Sequence, residues 1–161
     1  LNQNIGDARI YGISFDGLAK FLNHFTIMGN INLTDSTINK QIGPLPSILP
    51  LYGNIRINYK KERFNLTLSN NFSGRKLSQD YSSGGEDKIE ETPIISMEKG
   101  NIIYYGSPKW SIFSIRGAFD HNERLRTSFS IQNIFDLHYK EFASGISAPG
   151  RSIILNLNIK F

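Results

Sequence analysis

The chain contains no cysteine, which excludes disulfides, thiolate metal sites and cysteine nucleophiles together. It also lacks any apolar run near the roughly 18 residues that a membrane helix requires, so a helical span is excluded. Charge of one sign is scarce: 18 basic residues against 14 acidic ones leave +4. That excess is spread along the chain and does not mark a nucleic-acid surface. There are only three histidines. His24 and His121 fall at short turns and His138 in a long loop, so they cannot converge on a metal or a triad. G-x-S-x-G, H-E-x-x-H, a phosphate-binding glycine loop and a Ca²⁺ loop are all missing. These absences lead us to expect no enzyme activity, no cofactor and no metal.

What remains is ordinary in amount: 161 residues, 39% hydrophobic and 20% charged. That suits a folded chain of domain size, not a disordered tail. Helical spacing is hard to find, whereas period-two alternation recurs. At the C-terminus Ile153, Leu155, Leu157, Ile159 and Phe161 share one face, opposite Ser152, Asn156, Asn158 and Lys160. Phe25, Ile27, Ile31 and Leu33 likewise oppose Thr26, Asn30 and Asn32, and Phe64, Leu66 and Leu68 oppose Asn65, Thr67 and Ser69. The pattern predicts seven strands, near 7–17, 22–34, 50–60, 63–75, 107–119, 124–135 and 150–161. The fold class is therefore all-β, an antiparallel up-and-down meander of about seven long strands.

The connections alternate in length. Those near 18–21, 61–62 and 120–123 are short, and those near 35–49, 76–106 and 136–149 are long. In a meander, alternate connections lie at the same end, so one end is trimmed and the other carries the loops. Transmembrane β-barrels have this asymmetry. The polar face is rich in Asn, Ser, Thr and Arg, which suits a crowded lumen. Phe15, Phe25, Tyr59, Phe64, Phe119 and Phe161 are expected to form an aromatic girdle at the trimmed end. Alternation alone also fits a soluble β-sandwich or calycin-like binding module with its apolar face inward. The acidic segment with Glu86, Asp87, Glu90 and Glu91 reads as a solvated flexible loop.

The C-terminal third carries a more specific signal. Asn133-Ile134-Phe135-Asp136 is followed by Tyr139, a loop, Pro149-Gly150-Arg151 and a last strand ending in Phe161. This resembles the C-terminus of TonB-dependent outer-membrane receptors, with Ile134 where the family usually has Leu. Ala8 to Ile13 resembles an upstream strand of that family, and the Leu45-Pro46 to Leu51 region a proline-rich strand entry. The resemblance implies that residues 1–161 are the C-terminal part of a transmembrane β-barrel in the bacterial outer membrane. The plug and the N-terminal strands would lie outside this chain, and Leu1 would not be the natural start. The implied function is TonB-dependent uptake of a scarce nutrient: a ferric siderophore, haem, cobalamin or an oligosaccharide. Implied partners are the remainder of the receptor, the TonB complex acting through the plug, outer-membrane lipid and the barrel-assembly machinery, with no nucleic acid. Asn133, Phe135, Asp136, Tyr139, Pro149, Gly150 and Arg151 are then structural, and Phe161 is part of the assembly signal. Ligand-side residues are expected in the long loops: Arg75, Lys76, Tyr81, Tyr104, Tyr105 and Tyr139.

Overall fold

The structure, a computed structural model, describes residues 7–38 and 44–161. Leu1 and the 39–43 part of the first long loop lie outside those residues. Strands β1 (Ala8–Phe21), β2 (Phe25–Ile38), β3 (Tyr52–Lys61) and β4 (Phe64–Ser73) come first. Four short strands follow: β5 (Lys76–Leu77), β6 (Ile94–Glu98), β7 (Asn101–Tyr104) and β8 (Gly106–Ser107). The chain ends with β9 (Trp110–Asp120), β10 (Leu125–Gln132) and β11 (Ser152–Ile159). The seven long strands form one antiparallel sheet in the order β1-β2-β3-β4-β9-β10-β11. The short strands pair as β5-β8 and β6-β7 inside the long connection between β4 and β9.

Register explains the two faces. Phe25 pairs with Tyr59, Ile27 with Ile57, Ile57 with Leu68, Leu68 with Ile115, Ile115 with Ile131 and Ile131 with Ile153. Partners across a ladder point to the same side, so the apolar positions join into one face across the sheet. Nothing covers that face among the described residues: Phe15 is 69% exposed and Leu155 78%. The only buried hydrophobic side chain there is Tyr81, in a loop. A soluble sandwich would bury this face against a second sheet; this sheet has no such layer among the described residues.

The short connections sit together. Phe21 and Phe25 are paired across Leu22–His24, and Leu22 and Asn23 both take left-handed backbone, with φ of 50° and 55°. Glu62 does the same between β3 and β4, with φ of 49°. In the turn after β9, Asn122 Oδ1 accepts from the N–H groups of Arg124 and Leu125, both at 2.9 Å, an Asx-type closure. Arg63 Nη1 donates to the His121 carbonyl at 2.7 Å, tying two turns together.

The first turn differs from expectation. It falls at 22–24 instead of 18–21, so β1 runs four residues further than the alternation suggested. Gly17, the last residue of the expected first strand, lies well inside the observed one, opposite Gly29. Phe15 consequently faces Ile31, well inside the wall, and is not a girdle residue. Phe21 takes that place. The aromatic row is Phe21 stacked on Phe25 at 5.2 Å, Phe25 tilted against Tyr59 at 4.8 Å, and Tyr59 tilted toward Phe64 at 6.2 Å. Phe64 pairs in register with Phe119. Phe161 lies past the end of β11 at the same end, fully exposed.

Candidate functional site: the loop end and the polar face

The long connections meet at a buried ion pair. Lys76 begins β5 just after the wall strand β4, and its side chain is 5% exposed against 2% for Asp87. Lys76 Nζ lies 3.2 Å from Asp87 Oδ2 and donates to the Ile48 carbonyl at 2.7 Å. Asp87 Oδ1 accepts the Ser47 backbone N–H at 2.8 Å. The ammonium also lies 4.2 Å from the Phe142 ring centre and 5.1 Å from that of Tyr81. Those rings meet edge to face at 5.8 Å. The connections around 44–51, 74–109 and 133–151 thus share one junction. Burying both charges is tolerable because each has its opposite and further polar or π partners.

This overturns the reading of the acidic segment as wholly solvated, since Asp87 is its anchor. No sequence signal marked Lys76 and Asp87 as partners. They are 11 residues apart, and Asp87 lies in neither a helix nor a strand whose period would mark the pair.

Beside the junction, a cavity of about 420 Å³ opens between the loops. Trp110, Tyr139, Tyr81, Lys88, Lys109 and Glu91 are among its lining residues. The Trp110 and Tyr139 rings meet at a tilt of 42°, with centres 4.6 Å apart. Lys140 Nζ pairs with Glu91 Oε2 at 3.0 Å, joining two loops again. Burial pushes the Tyr139 hydroxyl above its ordinary pKa, and nearby Glu141 adds to the rise. Burial does the same to Tyr81. Arg75 stacks over the Tyr105 ring at 3.8 Å, and Tyr104 ends β7. Of the expected ligand-side residues, the structure therefore brings Tyr81 and Tyr139 to the cavity. Tyr104 and Tyr105 lie at the end of the β6–β7 hairpin, Arg75 sits just before β5 against Tyr105, and Lys76 lies within the junction.

The last loop is closed by the Asn133–Arg151 residues. Asn133 is left-handed, with φ of 47°, and nearly fully buried. Its side chain accepts from Leu137 N–H at 2.9 Å and donates to the carbonyls of Leu137 at 2.9 Å and Pro149 at 3.3 Å. Asp136 Oδ1 accepts the Arg151 N–H at 2.7 Å, and a Cβ at Gly150 would lie 2.7 Å from that oxygen. Glycine at 150 keeps that approach open. Arg151 Nη1 reaches the Ile134 carbonyl at 3.4 Å, and Phe135 packs edge to face on Phe113 at 5.8 Å.

Tyr139 lines a second, larger concavity as well, about 530 Å³ on the polar face of the sheet. Arg56, Arg116, Asn58, Thr67, Ser69 and Ser130 also line it. Asn58 donates to Thr67 Oγ1 at 2.9 Å, and Asn54 to Asn30 Oδ1 at 3.1 Å. Among the described residues, no group of His, Cys, Asp and Glu could hold a metal ion.

Residues 1–134 match the sequence profile of the TonB-dependent receptor-like β-barrel family. No curated protein matches the chain in sequence. The sheet superposes on a solved copper transporter, OprC, with a TM-score of 0.72 at 18% identity, covering 97% of this chain and 23% of that one. It also matches the ferric-catecholate import receptor Fiu from E. coli K12, with a TM-score of 0.65 at 12% identity over 94% of this chain and 21% of that one. For the ferric citrate transporter FecA the values are 0.67, 17%, 97% and 25%. The chain thus spans about a quarter of the length of the solved structures it resembles. Those proteins are named as transporters and receptors, not as enzymes.

Proposed function

This chain belongs to the TonB-dependent receptor-like β-barrel family, and from that premise we propose that it forms seven neighbouring strands of an outer-membrane receptor wall. The observation that carries the reading is the apolar face, continuous over seven strands and uncovered among the described residues. Left in water, so large a patch would drive aggregation. Against hydrocarbon it is the expected outer surface, with the amide- and hydroxyl-rich face turned to the lumen. The edges of β1 and β11 would pair with further strands of the barrel, since open edges do not persist in lipid.

The receptor's work is ligand capture at the loops followed by TonB-driven passage through the barrel, with a plug completing the lumen. The cargo is a scarce nutrient, and the names of the similar structures favour a chelated metal over haem, cobalamin or an oligosaccharide. Tyr139, Tyr81 and Trp110 in the loop cavity, with Arg75, Tyr104 and Tyr105 beside it, are the residues to contact ligand. Lys76 supports them from beneath. Asn133, Asp136 and the Pro149–Arg151 segment hold the last loop, and Phe161 serves the barrel-assembly machinery.

The test is fractionation of cells expressing the receptor that contains this chain. The expected result is recovery in the outer membrane, with electrophoretic mobility that shifts on boiling. Growth on a scarce chelated metal should require both the receptor and TonB. Recovery in a soluble fraction would overturn the reading.

A further inference from the structure

The polar face carries more positive charge than it neutralises. On the long strands its cations are Lys20, Arg56, Lys60, Arg116 and Arg126, and its carboxylates are Asp16 and Asp120. Alternation and register place all of these on one side. Asp120 is already paired with Arg126, at 3.6 Å. The side chains of Arg56 and Arg116 enter neither an ion pair nor a hydrogen bond among the described residues, yet both line the same concavity. A guanidinium offers five N–H donors in a fork that matches a carboxylate, and it cannot shed its charge.

Their spacing is set by the sheet. Arg56 is in register with Ser69, and Arg116 with Thr67, so β4 runs between them with a hydroxyl beside each. Two interstrand steps put them about 10 Å apart across the sheet, and two residues of rise add about 7 Å along it. Two extended arginine side chains can close that gap around one small polyanion. Asn58, committed to Asn65 and Thr67, stiffens the floor.

We infer that Arg56 and Arg116, with Ser69 and Thr67 between them, form a carboxylate-binding site on the wall of the lumen. The inference rests on the barrel reading, which makes this face the inner one. The carboxylates come either from cargo in transit or from the segment that fills the lumen. Bidentate pairing inside a barrel is screened less than on an open surface, so both arginines contribute to affinity.

The experiment uses the whole receptor in detergent, first shown to have heat-modifiable mobility; absence of that behaviour overturns the barrel reading itself. The probe is tricarballylate, a small tricarboxylate, with its uncharged triamide as control, measured by calorimetry. Wild type is compared with R56Q/R116Q and with the charge-retaining R56K/R116K, and the urea midpoint of each is recorded. If cargo supplies the carboxylates, wild type binds tricarballylate and not the triamide. R56Q/R116Q then loses about tenfold or more in affinity, R56K/R116K loses less, and the urea midpoints agree. If the lumen-filling segment supplies them, none of the proteins binds the probe, and R56Q/R116Q lowers the urea midpoint while R56K/R116K partly restores it. Equal probe binding and equal midpoints in wild type and R56Q/R116Q, in a heat-modifiable receptor, overturn the site and leave the barrel reading standing.

Discussion

The two ends of this sheet are held by different physics. At the trimmed end the chain turns on a few backbone conformations and one row of aromatic rings. Leu22, Asn23 and Glu62 accept left-handed φ, Asn122 closes its own turn, and Phe21, Phe25, Tyr59 and Phe64 line up above them. All of these contacts are between chain neighbours or adjacent strands. At the loop end the contacts cross long stretches of sequence: Ser47 to Asp87, Lys76 to Ile48, Lys140 to Glu91. There the binding forces are charge, hydrogen bonds and cation–π contact, centred on the buried Lys76–Asp87 pair. Along the wall, whose apolar face meets no protein among the described residues, local rules suffice. At the loop end the protein must build its own interior, and it does so around an ion pair.

The sharpest way to break this contrast is Lys76→Ala. It leaves Asp87 charged and buried without its partner, a change costing about 3–5 kcal/mol in comparable pairs. The expected outcome is fast hydrogen exchange and proteolysis in all three loops, with the wall strands still protected. The double variant Lys76→Met with Asp87→Leu should recover much of that loss, because no lone charge remains. Unfolding of the wall along with the loops would erase the distinction.

Within the wall, Gly53→Ala should cost about 1–3 kcal/mol by overpacking. Its added Cβ would meet the Asn30 carbonyl and come within 2.8 Å of Phe72 Cζ. Urea unfolding of the folded receptor measures it, and the loops should keep their native proteolysis pattern. At the trimmed end, Phe25→Leu removes ring contacts to Phe21 and Tyr59, which contribute about 0.5–1.5 kcal/mol per pair beyond area. Over the two pairs the same urea titration should show a loss of about 1–3 kcal/mol, again without loosening the loops.

The last effect appears only in alkali. Burial raises the pKa of Tyr81 in the folded loops, so the folded state holds its proton longer than the unfolded one. The stability this supplies is whole below the unfolded tyrosine pKa of about 10 and is lost as pH rises through the folded value. Ultraviolet titration should show the two loop phenols, Tyr81 and Tyr139, ionising late. Loop protease sensitivity should rise over the same pH range, and in Tyr81→Phe one late-ionising phenol and the Tyr81 share of that sensitivity should be gone.

Much of the wall was legible from alternation. Seven strands, their meander order and the split between short turns and long loops all follow from period-two patterning, because one face of each strand needs an apolar medium. The first turn is expected at 18–21 because alternation fades after Gly17, and Leu22 carries no turn signature. Pairing of Phe21 with Phe25 outweighs those local signals. The interior of the loops was not legible at all. The small hairpin of β6 and β7, and the meeting of Lys76 with Asp87 and Phe142, depend on long-range packing that leaves no periodic trace. The closing motif lies between these cases. Its residues stood out by resemblance, and the structure brings Asn133, Asp136, Gly150 and Arg151 into one hydrogen-bonded knot.

The Lys76–Asp87 junction also limits how the mouth of such a receptor can be re-engineered. Because the pair draws on residues from three connections, those loops form one exchangeable part and not three. Grafting a single loop from another receptor would strand a charge or an aromatic cap, whereas moving the three as a cassette would carry the junction with them.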